Sequence, residues 1–300
     1  RAEFGINDTQ FSILQGYAFA VVYTFAGIPL GRLVDRGHRR NLIVCGLLFW
    51  SAMTVFSGLA GSYWELFAAR MGIGVGEAVL APAAYSMIAD YVAPARRGRA
   101  LAIYYMSIGI GSGASLFIGG LVLQAMPAQG LEAPVIGHLD SWRWLFLFAG
   151  APGIIVAGLL FTVREPQRRE LDANSNNKEQ PSISEVTAYV RDNIATFSRV
   201  LIYPSILAII GYGSLAWAPT LMQRRFDMAT SESGQVIGLL IAVCGTVGTL
   251  ISGWLSDHWH NRGVRSARFR VTLVGQAVLL PTVAVWSLMP NPVMACVLLG

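Results

Sequence analysis

Charge is scarce in this chain: Asp, Glu, Lys and Arg make up 13% of its 300 residues, about half the share usual in a soluble domain. Lysine is nearly missing, with Lys178 its one instance. There are four histidines and three cysteines. Cys45, Cys244 and Cys296 all fall inside apolar runs, which argues against a disulfide framework or a thiolate zinc site and leaves them as packing residues. The sequence has no His-Glu-x-x-His, no Gly-x-Ser-x-Gly and no paired histidines within apolar runs. The constellations a membrane enzyme would use are therefore lacking, and no metal or other cofactor is implied. Gly72-Ile73-Gly74-Val75-Gly76 reads as a packing run, not a nucleotide loop. No soluble stretch is long enough to serve as a sensor domain. The net charge of +5 does not point to nucleic acid, because the basic residues sit in short loops between apolar runs.

What the chain does have is apolar length. Hydrophobic residues account for 54% of it, and its mean hydropathy is +0.52. Stretches long enough to cross a bilayer fall near 11-34, 41-62, 64-91, 99-126, 142-163, 200-223, 234-256 and 269-289, with a partial one from 292. The pattern is five spans, a polar interruption and four. The chain opens on Arg1 with no cleavable signal pattern. The simplest completion is six plus six, with one span before residue 11 and the rest of the second half after Gly300.

A short polar turn occurs twice, each time directly after a span. Gly31-Arg32-Leu33-Val34-Asp35-Arg36 closes on Arg39-Arg40, and Gly253-Trp254-Leu255-Ser256-Asp257-His258 closes on Arg262 and Arg265. The same ungapped offset aligns Gly16 with Gly238, Ala20 with Ala242, Val21 with Val243 and Thr24 with Thr246. The repeat therefore includes the span as well as the turn, which is the mark of a transporter built from parallel repeats.

Orientation follows from the arginines. Arg32, Arg36, Arg39 and Arg40 share one side with Arg96, Arg97 and Arg99, with Arg164, Arg168, Arg169, Lys178, Arg191 and Arg199, and with Arg262, Arg265, Arg268 and Arg270. That side is expected to be cytoplasmic. Arg224 and Arg225 fall opposite, either as part of an outer gate or tolerated beside Asp227 and Glu232. In the interruption, Asp172 to Gln180 reads as a flexible linker, and Ser182-x-x-Glu185 has the spacing of a capping box. Ile183, Val186, Val190, Ile194 and Phe197 then recur at helical spacing. They predict a helix lying in the membrane interface, with a plain tether as the alternative.

Small residues stand four apart at Gly27/Gly31, Gly72/Gly76, Gly109/Gly113 and Gly234/Gly238, a spacing that lets helices approach closely. Pro29, Pro82, Pro152, Pro219 and Pro281 can bend their spans. Tyr63, Trp64, Trp142 and Trp144 at one end, and Tyr91, Trp254 and Trp259 at the other, read as interfacial anchors.

Two charges lie well inside a span. Arg70 and Glu77 are seven residues apart, on one helix face. Each costs on the order of 3 kcal/mol at the bilayer centre and so calls for a wet cavity or a partner. Glu77 is suited to gain and lose a proton as such a cavity opens. Arg70 keeps its charge, and its planar fork suits a carboxylate or phosphate. The alternative is a permanent structural ion pair.

These residues together resemble the major facilitator superfamily, and within it the bacterial Spinster-like group. Gly31-x-Leu33-x-Asp35-Arg36-x-x-Arg39-Arg40 is similar to the superfamily's signature between its second and third helices, except that His38 stands where a glycine is usual and the glycine comes one place earlier. Arg70-x-x-x-Gly74-x-Gly76 resembles the fourth-helix arginine motif, Arg70 with Glu77 the Spinster pattern, and Arg164-Glu165-Pro166 the end of the sixth helix. On the fifth helix Gly119-Gly120 is present, but Ser115-Leu116 takes the place of the antiporter Gly-Pro, so symport, antiport and uniport all stay open.

The resemblance implies an all-α integral membrane protein of two six-helix halves related by a pseudo-two-fold axis. Residues 1-163 would be helices 2 to 6 of the first half, 164-199 a cytoplasmic linker with its interfacial helix, and 200-300 the start of the second half, helices 7 to 9 and part of 10. It also implies alternating access, proton-coupled through Glu77. Gly31, Asp35, Arg36, Arg39, Arg40 and Asp90 would form an inner gate, with Asp257 and Arg262 as its weaker second copy and Asp35 as the main latch. The implied substrate is an amphipathic anion of the lysophospholipid or sphingoid phosphate class; a small organic anion, sugar phosphate or drug fits Arg70 as well. From other classes, a channel or membrane sensor is the alternative. The expected setting is a monomer in a bacterial inner membrane.

Overall fold

In the computed structural model, the described residues are 3–127, 129–134, 137–168 and 182–299, with the side chains of Ala95, Ala133, Ile183 and Arg268 excepted. Lys178, Arg169, the 172–180 linker and Pro181 lie outside them. Among the described residues, eight helices are long and apolar enough to cross a membrane. In chain order the elements are α1 (Asp8–Arg36), α2 (Arg39–Leu59), α3 (Tyr63–Glu77), α4 (Leu80–Tyr91), α5 (Pro94–Ala125), α6 (Ser141–Leu160), α7 (Ile183–Asp192), α8 (Ile194–Phe226), α9 (Thr230–Asn261), α10 (Ala267–Val285) and α11 (Pro292–Leu299). A short antiparallel hairpin, β1 (Leu131–Ala133) and β2 (Gly137–Leu139), joins α5 to α6 and departs from the all-helical expectation. The helices assort into two compact units, residues 1–104 with 122–170, and 105–121 with 171–300. The middle of α5 thus belongs with the second unit, whereas a division at 163 would leave all of α5 in the first.

Within the first unit, α2 is the central helix, packed between α3 and α6. Glycine makes both contacts possible. A β-carbon at Gly76 would come within 2.7 Å of the Gly46 carbonyl oxygen, and one at Gly46 within 2.7 Å of the Gly76 oxygen. On the other flank, a β-carbon at Gly58 would meet the Arg143 carbonyl at 2.7 Å, and one at Gly150 the Ser51 carbonyl at 2.8 Å. The buried hydroxyls along this helix are satisfied locally, Thr54 by the Trp50 carbonyl and Ser57 by that of Met53, both at 2.9 Å. In the second unit, Gly113 and Gly120 of α5 face Gly238, Ala242 and Ser231 of α9 at backbone-contact distance. Of the four small-residue pairs, Gly72/Gly76 and Gly234/Gly238 lie at such contacts; a β-carbon at Gly27, Gly31 or Gly109 would meet no described atom within 4 Å.

Three local features depart from a reading of uninterrupted spans. The segment 64-91 is two helices: Pro82 has no N–H to offer the Ala78 carbonyl, and the chain turns at Ala78 and Val79 before α4 begins. A π-helical turn at Ile13–Tyr17 interrupts α1. The capping box at Ser182 and Glu185 forms as its spacing predicts, but α7 stops at Asp192. Ile194 and Phe197 instead belong to α8, which starts six residues ahead of the expected 200.

Placing valine at Gly76 should force α2 and α3 apart and destabilise the protein by about 1–3 kcal/mol, whereas Gly158→Ala, where no atom lies within 4 Å, should be neutral. Thermal unfolding in detergent distinguishes the two, and equal melting temperatures would show that the helices separate without cost.

Candidate functional site

The first turn leads into α2 by a route its sequence explains. Gly37 is extended, not left-handed; its glycine is needed because a β-carbon would lie 2.8 Å from the Leu33 carbonyl. His38, standing where the superfamily has glycine, is the N-cap of α2, its Nδ1 accepting from the Asn41 N–H at 3.4 Å. The helix then begins with Arg39, which is wholly buried.

Arg39 gathers three segments. Its Nε donates to Glu165 at 2.6 Å, one terminal nitrogen donates to Ser86 at 2.8 Å and to Asp90, and the other donates to the Pro166 carbonyl at 2.7 Å. Glu165 also accepts from the Arg40 backbone N–H at 2.8 Å, a carboxylate at the N-terminus of a helix, where the macrodipole favours it. The Arg40 guanidinium donates to the Val163 carbonyl at 3.3 Å and lies over the Phe161 ring. From the same segment, Arg168 donates to the carbonyls of Val34, Asp35 and Gly37, covering orphan acceptors at the end of α1. The Tyr91 hydroxyl donates to the Arg164 carbonyl. Residues 164–168 are thus packed onto the arginine-rich end of the first unit rather than forming the start of a loose tether.

The other signature residues are placed differently. Among the described residues, the Asp35 carboxylate has no ion pair or hydrogen bond, and neither has the side chain of Arg36. Asp257 and Arg262 are likewise unpaired among the described residues. The structure brings Arg39, Arg40 and Asp90 together with Glu165, and does not bring Asp35 to them.

Inside the span, Arg70 lies on α3 and Glu77 is its last residue, beside the break at Ala78. They do not pair with each other, and among the described residues neither has an ion pair or hydrogen-bond partner. The buried Nε of Arg70 is unsatisfied, and its guanidinium sits 5.5 Å from the centroid of the Phe146 ring.

One arginine escaped sequence reasoning, and the partners of a second were not visible. Arg143 at the start of α6 is buried, donates to Glu3 at 2.6 Å and to the Gly58 carbonyl at 3.1 Å, and lies 4.7 Å over Trp142. Trp142 donates to the same Glu3 at 2.6 Å. Arg225 donates to the carbonyls of Ser287 and Leu288 beyond α10, and so holds the far ends of two helices together. For Arg143 only the aromatic anchors beside it were visible in sequence, whereas Arg225 was visible as a basic residue opposite the others without its partners.

The profile of the Major Facilitator Superfamily matches residues 1–300. This chain belongs to that superfamily. It is 29% identical over 296 residues to an MFS-type efflux pump of Mycolicibacterium smegmatis, covering 98% of this chain and 64% of the pump. It is 28% identical to human protein spinster homolog 1, over 82% of this chain and 47% of that protein. Among solved structures, a bacterial homolog of the human lysosomal transporter Spinster, in an inward-facing and unoccupied conformation, superposes with a TM-score of 0.75 at 30% identity, over 99% of this chain and 64% of that one. The chain therefore spans less than two thirds of the length of each of these three. Its resemblance to the Spinster group stands on sequence and on fold.

Burial pushes the Glu165 carboxyl up, but the Arg40 N–H and the Arg39 guanidinium outweigh it and hold the group below the usual carboxylate range. A carboxyl lowered by folding stabilises fully above its unfolded value, about 4.3, and loses that contribution as pH falls through the lower folded value. Glu165→Gln should cost about 1–3 kcal/mol at neutral pH and flatten the acid limb of a stability-against-pH curve; an unchanged acid limb would assign the stabilisation to other groups.

Proposed function

We propose that the chain is part of a secondary active transporter working by alternating access, in which Glu77 carries a coupling proton and Arg70 holds the anionic end of an amphipathic substrate. What carries the reading is the pair on α3. Two ionisable groups stand inside a membrane span, unengaged by any described residue through an ion pair or hydrogen bond, and intramembrane charges are expensive enough to mark substrate or ion paths. A site that holds a guanidinium without a permanent carboxylate is ready for one brought by a ligand. The break after Glu77 adds freedom of movement at that point.

The substrate class rests on chemistry and on likeness. One relative, 24% identical, is named as a sphingosine-1-phosphate transporter of Danio rerio, and such a molecule joins an anionic head to a long chain. Another, 25% identical, is named as a probable L-galactonate transporter of Escherichia coli, which keeps a small organic anion as the second reading; sugar phosphates and drugs belong with it. We assign the arginine-rich ends to the cytoplasmic side of a bacterial inner membrane, and the working form to a monomer.

Arg39, Asp90 and Glu165 then serve as the fixed frame of the inner gate. Asp35, Arg36, Asp257 and Arg262, unpaired among the described residues, are the members free to exchange partners as the halves rock, and Gly31 lies in the same turn as Asp35 and Arg36. The close α5–α9 seam suits helices that slide, since small residues leave no side chains to interlock. Catalysis has no part in this reading.

Uptake into proteoliposomes by the full-length protein tests it, with lysolipids and organic anions offered with and without a pH gradient. Glu77→Gln should fold normally yet lose gradient-driven accumulation, and full pH-driven uptake by that variant would defeat proton coupling at this residue. Arg70→Ala should weaken binding of anionic substrates about tenfold or more; unchanged affinity would make Arg70 structural. A current that never saturates with substrate would instead indicate a channel.

A further inference from the structure

The two copies of the turn end in different electrostatic states. In the first, a carboxylate of the chain itself, Glu165, occupies the start of α2, bonded to Arg39 Nε and to the Arg40 N–H. In the second, the helix that follows is α10, 19 residues long, whose N-cap Ser266 makes no side-chain capping bond. Before it lies a cavity of about 460 Å³, lined by Ser256, Asp257, His260, Arg265, Ser266 and Phe269. Among the described residues, the side chains of Ser256, Asp257, His260, Arg265 and Ser266 have neither an ion pair nor a hydrogen bond. The positions that are saturated in the first half are therefore open in the second.

We propose that this cavity binds a phosphate-type anion, a free phosphate or the head group of an acidic lipid. Arg265 supplies a charged fork, His260 a ring N–H, Ser256 and Ser266 two hydroxyls, and α10 its unfilled N-terminus. Arginine outnumbers carboxylate in the 257–270 segment, so the segment that holds the cavity carries net positive charge. A tetrahedral anion engages donors arriving from several directions. Asp257 opposes a bare anion but accepts a hydrogen bond from inorganic phosphate, which keeps at least one proton at neutral pH, or from a hydroxyl of a lipid head group. An anion here would tie the end of α9 to the start of α10, as Glu165 ties the segment after α6 to α2. The inference does not rest on the transport reading.

The test uses the full-length protein in nanodiscs of phosphatidylcholine, with thermal unfolding followed against inorganic phosphate and against potassium chloride at matched ionic strength. A parallel set without phosphate uses nanodiscs containing phosphatidylglycerol. A saturable rise in Tm is expected with phosphate. It should weaken about tenfold or more in Arg265→Gln, strengthen in Asp257→Asn, and persist in Arg70→Gln, which separates it from binding in the span. Arg265 is exposed, so its variant should melt like the parent when no anion is present. A rise confined to the phosphatidylglycerol discs and dependent on Arg265 would uphold the site with a lipid head group as its occupant. No rise in either set, or a rise that Arg265→Gln leaves unchanged, would overturn it.

Discussion

The first half is organised around a guanidinium that cannot reach water. Removing Arg39 from solvent costs several kcal/mol, and the cost is offset only if nearly every donor finds an acceptor in good geometry. It does so by drawing on three segments far apart in sequence: the start of α2, the end of α4 through Ser86 and Asp90, and the stretch after α6 through Glu165 and Pro166. Exchanging such a cluster for apolar residues is often neutral, whereas removing one member is costly. Its effect is therefore mainly on specificity. It fixes which ends meet and in what register, and the same stretch then supplies Arg168 to the end of α1.

The middle of the same half follows the opposite rule. Arg70 and Glu77 are half-buried, and neither has a compensating ion-pair or hydrogen-bond partner among the described residues. An unsatisfied charge lowers stability, and the glycine-lined contacts of α2 with α3 and α6 can carry that loss because they pack backbone against backbone. The proline that breaks the span stands next to this point, so an electrostatic and a mechanical weakness coincide. The first half thus joins a densely bonded end to an unsatisfied, jointed middle.

Much of this was legible in the chain. Spans follow from hydropathy, since backbone groups in lipid must bond within a helix, and the capping box at Ser182 follows from local spacing. Arg39 and Asp90 could be named because each lies at the end of a span on the same side. Glu165 was visible only as part of a family motif, because it lies 126 residues from Arg39 and no periodicity links them. The same holds for Glu3 and Arg143, 140 residues apart. Asp35 meets a related limit: spacing shows that a charge recurs, not whether its partner is near. The ends of helices were misread where two helices abut, as at Asn193, since apolar periodicity continues across a break that the backbone makes.

The repeated turn shows how one sequence device can acquire two physical roles. Both copies place a carboxylate and arginines at the end of a span, and both precede a helix N-terminus that favours negative charge. In the first copy the chain fills that N-terminus with its own Glu165, so the basic cluster is neutralised internally and becomes framework. In the second, the side chains of Asp257, Arg262 and Arg265 meet no partner among the described residues, and a cavity takes the place of the carboxylate. Internal neutralisation makes a contact permanent, because its partner is covalently tethered at high effective concentration. An open copy responds instead to whatever anion its surroundings supply. The asymmetry between the halves thus lies less in the turns themselves than in what each helix start finds opposite it.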